Sequence, residues 1–252
     1  MPMMNKFKAD VLFGKYGNTY FVDQRGHNPD IDTGVVEDVW KAGGLHTGRP
    51  LITDTTGKEF EIVSDSTDDT AAGTGARTVT IKYLDGRGYE QQTTVTLNGT
   101  TPVALGVLGW RANMVSVATA GSGRKNAGNI TLRWVSPDQS VIFDYMGAGD
   151  SRSHSCLYTV PKGKVASIFD YGISLIDNGN TFASFSLMIG YENGVEIVGC
   201  YCSATKNSRS DVELHTPLIP ELTDVWVRVN SVSSNNSEIQ AWVKLLVGEA
   251  NG

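Results

Sequence analysis

Residues 76–99 read ARTVTIKYLDGRGYEQQTTVTLNG. Val79 and Ile81 alternate with Thr78, Thr80 and Lys82, and Val95 and Leu97 alternate with Thr94 and Thr96. A period of two sends successive side chains to opposite faces of an extended chain, and β-branched residues suit that pleated surface. Each run therefore predicts a half-buried strand. Asp85-Gly86-Arg87-Gly88 lies between them as turn chemistry, and Asn98-Gly99, directly after the second run, predicts a hairpin. The same texture extends onward through Val115 and Val117 to Ile130, Leu132 and Trp134, punctuated by Gly121-Ser122-Gly123. Strands at this spacing without helices between them predict an antiparallel β-sandwich over 51–137.

Ser136-Pro137-Asp138 predicts a boundary. Longer apolar runs follow at 155–160, 165–171, 181–189, 195–201, 225–229 and 238–246. In the last, Ile239, Ala241, Val243 and Leu245 share one face, and Gln240, Trp242, Lys244 and Leu246 share the other. Such strands over 138–252 predict a jelly-roll-like sandwich. Residues 1–50 differ, with Gly, Asn, Asp and Pro among isolated apolar anchors and one helical turn suggested near Thr33–Trp40. They predict an extended arm docking through Tyr20, Phe21 and Trp40. The fold class is all-β: an arm and two antiparallel sandwiches.

The chain has 252 residues, 40% of them hydrophobic, which is enough to bury a substantial core. A formal net charge of -6 disfavours nucleic acid and anionic membranes as partners. The start, MPMMNKFKAD, lacks the apolar run of a secretory signal, and no stretch approaches the roughly 20 apolar residues of a membrane helix. A soluble product of the cytoplasm is expected, so the glycosylation-like Asn98, Asn129 and Asn235 triplets carry no meaning.

Few residues offer chemistry. Gly121–Gly128 superficially resembles a phosphate loop, but Lys125 is followed by Asn126 and a strand, which predicts a hairpin loop instead. Asp65, Asp68 and Asp69 sit in a calcium-like cluster without the glycine and distal glutamate of an EF-hand, so a solvated loop is expected. His27, His46, His154 and His215 are scattered. Ser151–Cys156 invites a nucleophile, yet Ser153 and His154 would point to opposite strand faces, and no Gly-x-Ser-x-Gly elbow is present. Cys156, Cys200 and Cys202 form an odd set, expected to be reduced and mostly buried. Cys200 and Cys202 would share a strand face, and a zinc site completed by His154 or Cys156 lacks a second paired motif. No metal, cofactor or catalytic residue is expected.

NPDIDTGVVEDVWKAGG (28–44), STDDTAAGTGARTVTIKYLDGRGYEQQTTVTLNGTTPV (66–103), ATAGSGRKNAGNITL (118–132), LYTVPKGKVASI (157–168) and PELTDVWVRV (220–229) together resemble a family of virion structural proteins of tailed bacteriophages, common in phages of aquatic bacteria. Tyr83, Arg87 and the Cys200/Cys202 pair depart from the pattern. The resemblance implies a particle component made in the host cytoplasm, described in the family as head fibre or decoration protein. It implies no catalytic residues. The leading expectation is a capsid decoration or cement protein on the virion exterior. It would bind the major capsid protein through the arm and assemble as a homotrimer with Trp226, Trp242 and Leu246 at the subunit contact. The alternative is a tail-associated fibre or baseplate protein that binds host glycan through Tyr191, Tyr201, Asn178 and Asn180. A capsule depolymerase, the enzyme reading, lacks a selected acid pair.

Overall fold

The computed structural model describes residues 10–11, 14–49, 56–176, 182–205, 209–212 and 218–250, with 209–212 as backbone only. Fifteen strands run through them: β1 (Tyr20–Ile31), β2 (Glu37–Asp38), β3 (Lys58–Ser64), β4 (Ala76–Asp85), β5 (Glu90–Thr96), β6 (Val103–Ala120), β7 (Ile130–Trp134), β8 (Ile142–Met146), β9 (Leu157–Thr159), β10 (Lys164–Leu175), β11 (Phe182–Gly190), β12 (Glu196–Thr205), β13 (Arg209–Val212), β14 (Asp224–Val232) and β15 (Ser237–Glu249). All ladders between them are antiparallel. The all-β sandwich expectation holds.

Two sheets face each other, ordered β1-β15-β10-β13 and β12-β11-β14-β2, with β9 also on β14. With β3–β8 set aside, this is the strand order of a jelly roll. The alternation along β15 explains the layer: Ile239, Ala241, Val243, Leu245 and Val247 are all buried on the inner face. They meet Val225, Val227 and Val229 of β14 and Phe185 and Leu187 of β11 in one core. β2 and β9 lie end to end on β14, with Glu37 and Asp38 opposite Val229 and Arg228, and Leu157 to Thr159 opposite Trp226 to Asp224. They occupy the place of one strand, and residues 40–156 are inserted in its middle.

The insert is a curled six-stranded sheet, β5-β4-β6-β3-β7-β8. Its eighteen-residue β6 pairs with β3 along its first half and with β4 along its second, which lets the sheet fold back on itself. Phe60, Phe143 and Trp134 fill the interior, with ring centroids 4.8 and 5.1 Å apart. After β8 the chain returns to β6, where Val117 N–H donates to Ser151 O and Ser153 N–H donates to Val115 O.

Several expectations are corrected. Tyr20–Ile31 is no free arm. It pairs with β15 from Tyr20↔Val247 to Asn28↔Ile239, a partner more than 200 residues away that no local period reveals. Thr33–Trp40 holds turns and β2 in place of a helical turn. The domains are therefore a jelly roll of 20–39 with 157–250 and an insert between them, and Ser136-Pro137-Asp138 is a turn inside the insert. Asn98-Gly99 is no hairpin, because β4 lies between β5 and β6. The tight hairpin is Asp85–Gly88, joining β4 to β5. Gly121–Gly128 likewise joins β6 to β7, which β3 separates.

Gly26 shows how tightly β1 is held. A Cβ there would lie 2.3 Å from Val39 O and 2.6 Å from Cys156 Cβ. Ile31, Gln24 and Asn28 are buried on the same strand. Deleting residues 1–31 is therefore expected to abolish the cooperative thermal transition seen by circular dichroism; a truncated protein melting as sharply as the full chain would contradict the role of β1.

Candidate functional site

Two places concentrate chemistry: the joint between insert and jelly roll, and the outer faces of the jelly roll. At the joint, Arg111 of β6 reaches Asp224 of β14. Arg111 Nε donates to both carboxylate oxygens at 3.2 Å and Nη2 donates to Oδ2 at 3.1 Å, with both side chains at most 5% exposed. The Thr159 hydroxyl also donates to Asp224 Oδ1. Asn113 Nδ2 donates to Thr159 O at 3.0 Å and Thr159 N–H donates back to Asn113 Oδ1 at 2.9 Å, while Gln24 Nε2 donates to Asn113 O. Apolar groups flank these polar contacts. Leu84 and Trp110 of the insert meet Leu222, and Trp226, Met188 and Leu157 are covered by Trp40 and by Ile142 and Tyr145 of β8.

Arg49, His46 and Asp144 deepen this buried charge. Burial pushes Arg49 down to about 10, although Asp224 and Asp144 favour its charge. Burial raises the Asp144 carboxyl despite the Ser153 and Ser155 hydroxyls. His46 is held well below the usual imidazole range by burial first and then by Arg49, so it is neutral at pH 7. Its ring packs at a tilt against Trp40 with centroids 4.2 Å apart, and its backbone N–H donates to Asp38 Oδ2. Asp38 also accepts from Trp226 Nε1 at 2.9 Å and from Arg228 Nε at 2.7 Å. Asp38 thus ties the turn before the insert to β14.

The expected arm anchors scatter. Trp40 is 3% exposed in the joint. Tyr20 packs on the jelly-roll core, where burial raises its hydroxyl to about 12. Phe21 lies on the outer face of the first sheet, edge-on to Phe169 at 5.4 Å. Of the expected subunit anchors, Trp226 is fully buried under the insert, and Trp242 is 7% exposed with its Nε1–H donated to Asp170 Oδ1. Neither can serve as a surface anchor. Leu246 pairs with Phe21, so one residue from each expected set shares a small apolar patch.

Among the glycan candidates, Tyr201 is 73% exposed and Tyr191 sits at the β11–β12 turn. Ser186, the partner of Tyr201, is five residues from Tyr191, on the order of 15 Å at the rise of a strand, so the two rings do not share a site. Asn178 and Asn180 lie outside the described residues, as does His215. Around Tyr201 the second sheet presents hydroxyls and amides. Tyr201, Ser186 and Arg228 form one cross-strand row, and Ser203, Ser184 and Ser231 form the next. Asn230 Nδ2 donates to Ser186 Oγ at 2.7 Å, and the Ser184 and Ser231 hydroxyls are 2.6 Å apart. The sequence signal for this face is the alternation of Ser184 and Ser186 with Ala183, Phe185 and Leu187.

The remaining motifs are structural. Asp69 is fully buried and accepts from the backbone N–H of Ala76, Ala127 and Gly128 and from the Ser64 hydroxyl, rather than lying in a solvated loop. Asp65 accepts from Asn129. A small cavity of about 270 Å³ beside them is lined by Thr74, Gly75, Gly123, Lys125, Asn126 and Ala148.

No family model and no curated protein matches the chain. Solved structures with detectable likeness include the VP2 subviral particle of infectious bursal disease virus, at 9% identity and a TM-score of 0.24, covering 99% of this chain and 79% of that one. The Gt and Gx strain structures of the same virus give 9% identity and TM-scores of 0.24 and 0.25, covering 96% and 99% of this chain and 78% of each of those. At TM-scores this low the likeness identifies neither a fold family nor a function.

Removing one partner of a buried ion pair strands the other charge, which typically costs about 3–5 kcal/mol. Arg111→Ala is expected to lose that amount in denaturant unfolding, while Arg111→Met with Asp224→Leu recovers most of it. A loss below about 1 kcal/mol, the range of an exposed pair, would refute the assignment. His46 makes a second prediction. Because its folded pKa lies below the unfolded value of about 6.5, its contribution is complete above that pH and is lost as pH falls beneath it. His46→Phe is expected to flatten the decline in stability between about pH 6.5 and 5 that the native protein shows.

Proposed function

We propose that the chain is a structural protein of a tailed-phage virion that decorates the outside of the head as a homotrimer. In this reading it docks on the major capsid protein through the outer face around Tyr201, not through an N-terminal arm. The observation that carries the reading is the joint. Two β modules are joined by a buried ion pair, a contact that opposes swinging of one against the other and couples their unfolding. A protein that must persist outside the cell benefits from such slow, cooperative unfolding, and the long-range pairing of a jelly roll adds to it. The Arg111–Asp224 and Asp38–Arg228 pairs are committed to holding these elements together, which favours a structural role. The sequence resemblance spanning 28–246 supplies the virion context. Neither nucleic acid nor membrane is part of the proposal.

A second reading has its own observation. An aromatic ring 73% exposed beside Ser184, Ser203 and Asn230 is suited to the apolar face and hydroxyls of a sugar. On that reading the protein is tail-associated and recognises host glycan.

Both readings are tested at one residue. Tyr201→Arg, on a strand surface open to solvent, is expected to leave the melting temperature unchanged and to reduce co-sedimentation with undecorated capsids at least tenfold. Native-like binding by the variant, or failure of the native protein to bind capsids, overturns decoration. A glycan-array signal that Tyr201→Ala removes would establish the second reading in its place.

A further inference from the structure

The edge of the jelly roll farthest from the insert carries a second arrangement. Cys200 and Cys202 lie on β12, the outer strand of the second sheet, just past a bulge at Gly199. Both side chains turn inward against the core, as their shared strand face requires, and both remain partly exposed at the edge. Their sulfurs are 3.5 Å apart. Tyr171, from β10 of the opposite sheet, brings its hydroxyl to 3.0 Å from Cys202 Sγ. Two thiols on one strand and one phenol on the facing strand thus converge where the sheets meet no insert. Cys156 is fully buried beside Gln24 of β1 and belongs to another part of the core.

We propose that Cys200 and Cys202 form a binding site for one soft, thiophilic metal cation, with Tyr171 as its support from the opposite sheet. The sulfur spacing fits chelation better than a disulfide. A disulfide needs about 2.05 Å between sulfurs, so the strand would have to deform. A cation at a thiolate bond length of about 2.3 Å from each sulfur instead spans 3.5 Å with an S–metal–S angle of about 100°, without backbone movement. Thiolates select soft cations such as Cu(I) and the zinc-group ions. On binding, each thiol loses its proton to solvent and each sulfur forms one bond to the metal, with no electron transferred. The Tyr171 hydroxyl, 3.0 Å from Cys202 Sγ, can donate to the Cys202 thiolate. A loaded site would link β12 to β10 and raise thermal stability by mass action.

The test is a titration of the full chain with Cd²⁺ under a non-thiol reductant, followed by the ultraviolet thiolate-to-cadmium charge-transfer band and by the melting temperature. One equivalent is expected to saturate the band and raise the melting temperature. Cys200→Ser or Cys202→Ser is expected to weaken binding at least tenfold and remove the thermal shift, while metal-free circular dichroism stays native. Tyr171→Phe is expected to keep the band and weaken affinity less than either serine variant. Absence of a saturable band, or a band that survives Cys202→Ser unchanged, overturns the proposal.

Discussion

The Arg111–Asp224 pair joins β6 of the insert to β14 of the jelly roll with both side chains out of water, and the rest of the molecule depends on it. Two bare charges in that position would be strongly unfavourable. The pair survives because the guanidinium spans both carboxylate oxygens while Thr159 fills a further lone pair. Thr159 is in turn fixed by Asn113, and Asn113 by Gln24 on β1. One chain of contacts therefore runs from the first strand through the insert to the next-to-last strand. Loss of a link leaves its buried partner short of a hydrogen bond in a place where water does not replace it.

The joint also accounts for the insertion point. β2 and β9 are two halves of one strand position on β14, and chain entering and leaving there must cross the outer face of the second sheet. That crossing brings Trp40 and β8 onto Met188 and Trp226. The covered half of the face is apolar and the uncovered half is serine, asparagine and arginine. The division between burial and exposure on this sheet is thus set by where the insert lies.

Period-two runs and β-branched residues make β4, β5, β7, β9–β12, β14, β15 and the second half of β6 legible in the sequence, down to which residues of β15 face inward, whereas β1, β2, β8 and β13 carry no such run. The pairing is not legible, because β1 finds its partner more than 200 residues away and nothing local marks Tyr20–Ile31 as an edge strand. The tryptophans mislead for the same reason. Residue type identifies Trp40 and Trp226 as anchors, but only the tertiary path shows that they anchor the chain to itself. Tyr201 is legible because the cysteines flanking it fix which face it takes, whereas Asn230 enters its surroundings through a register shift in β14 that no alternation predicts.

The two edges of the second sheet meet different fates. The β2/β9 edge is closed by the insert and its ion pair. The β12 edge has no such cover among the described residues, and it is an edge strand with neither lysine nor proline to guard it. The inward turn of Cys200 and Cys202 toward Tyr171 gives this edge a tie to the opposite sheet that the apolar core alone does not supply. A jelly roll sealed at one edge by buried charge and tied at the other by the Tyr171–Cys202 contact holds the Tyr201 face between two fixed borders, so the exposed ring sits on a surface whose strands are anchored on both sides.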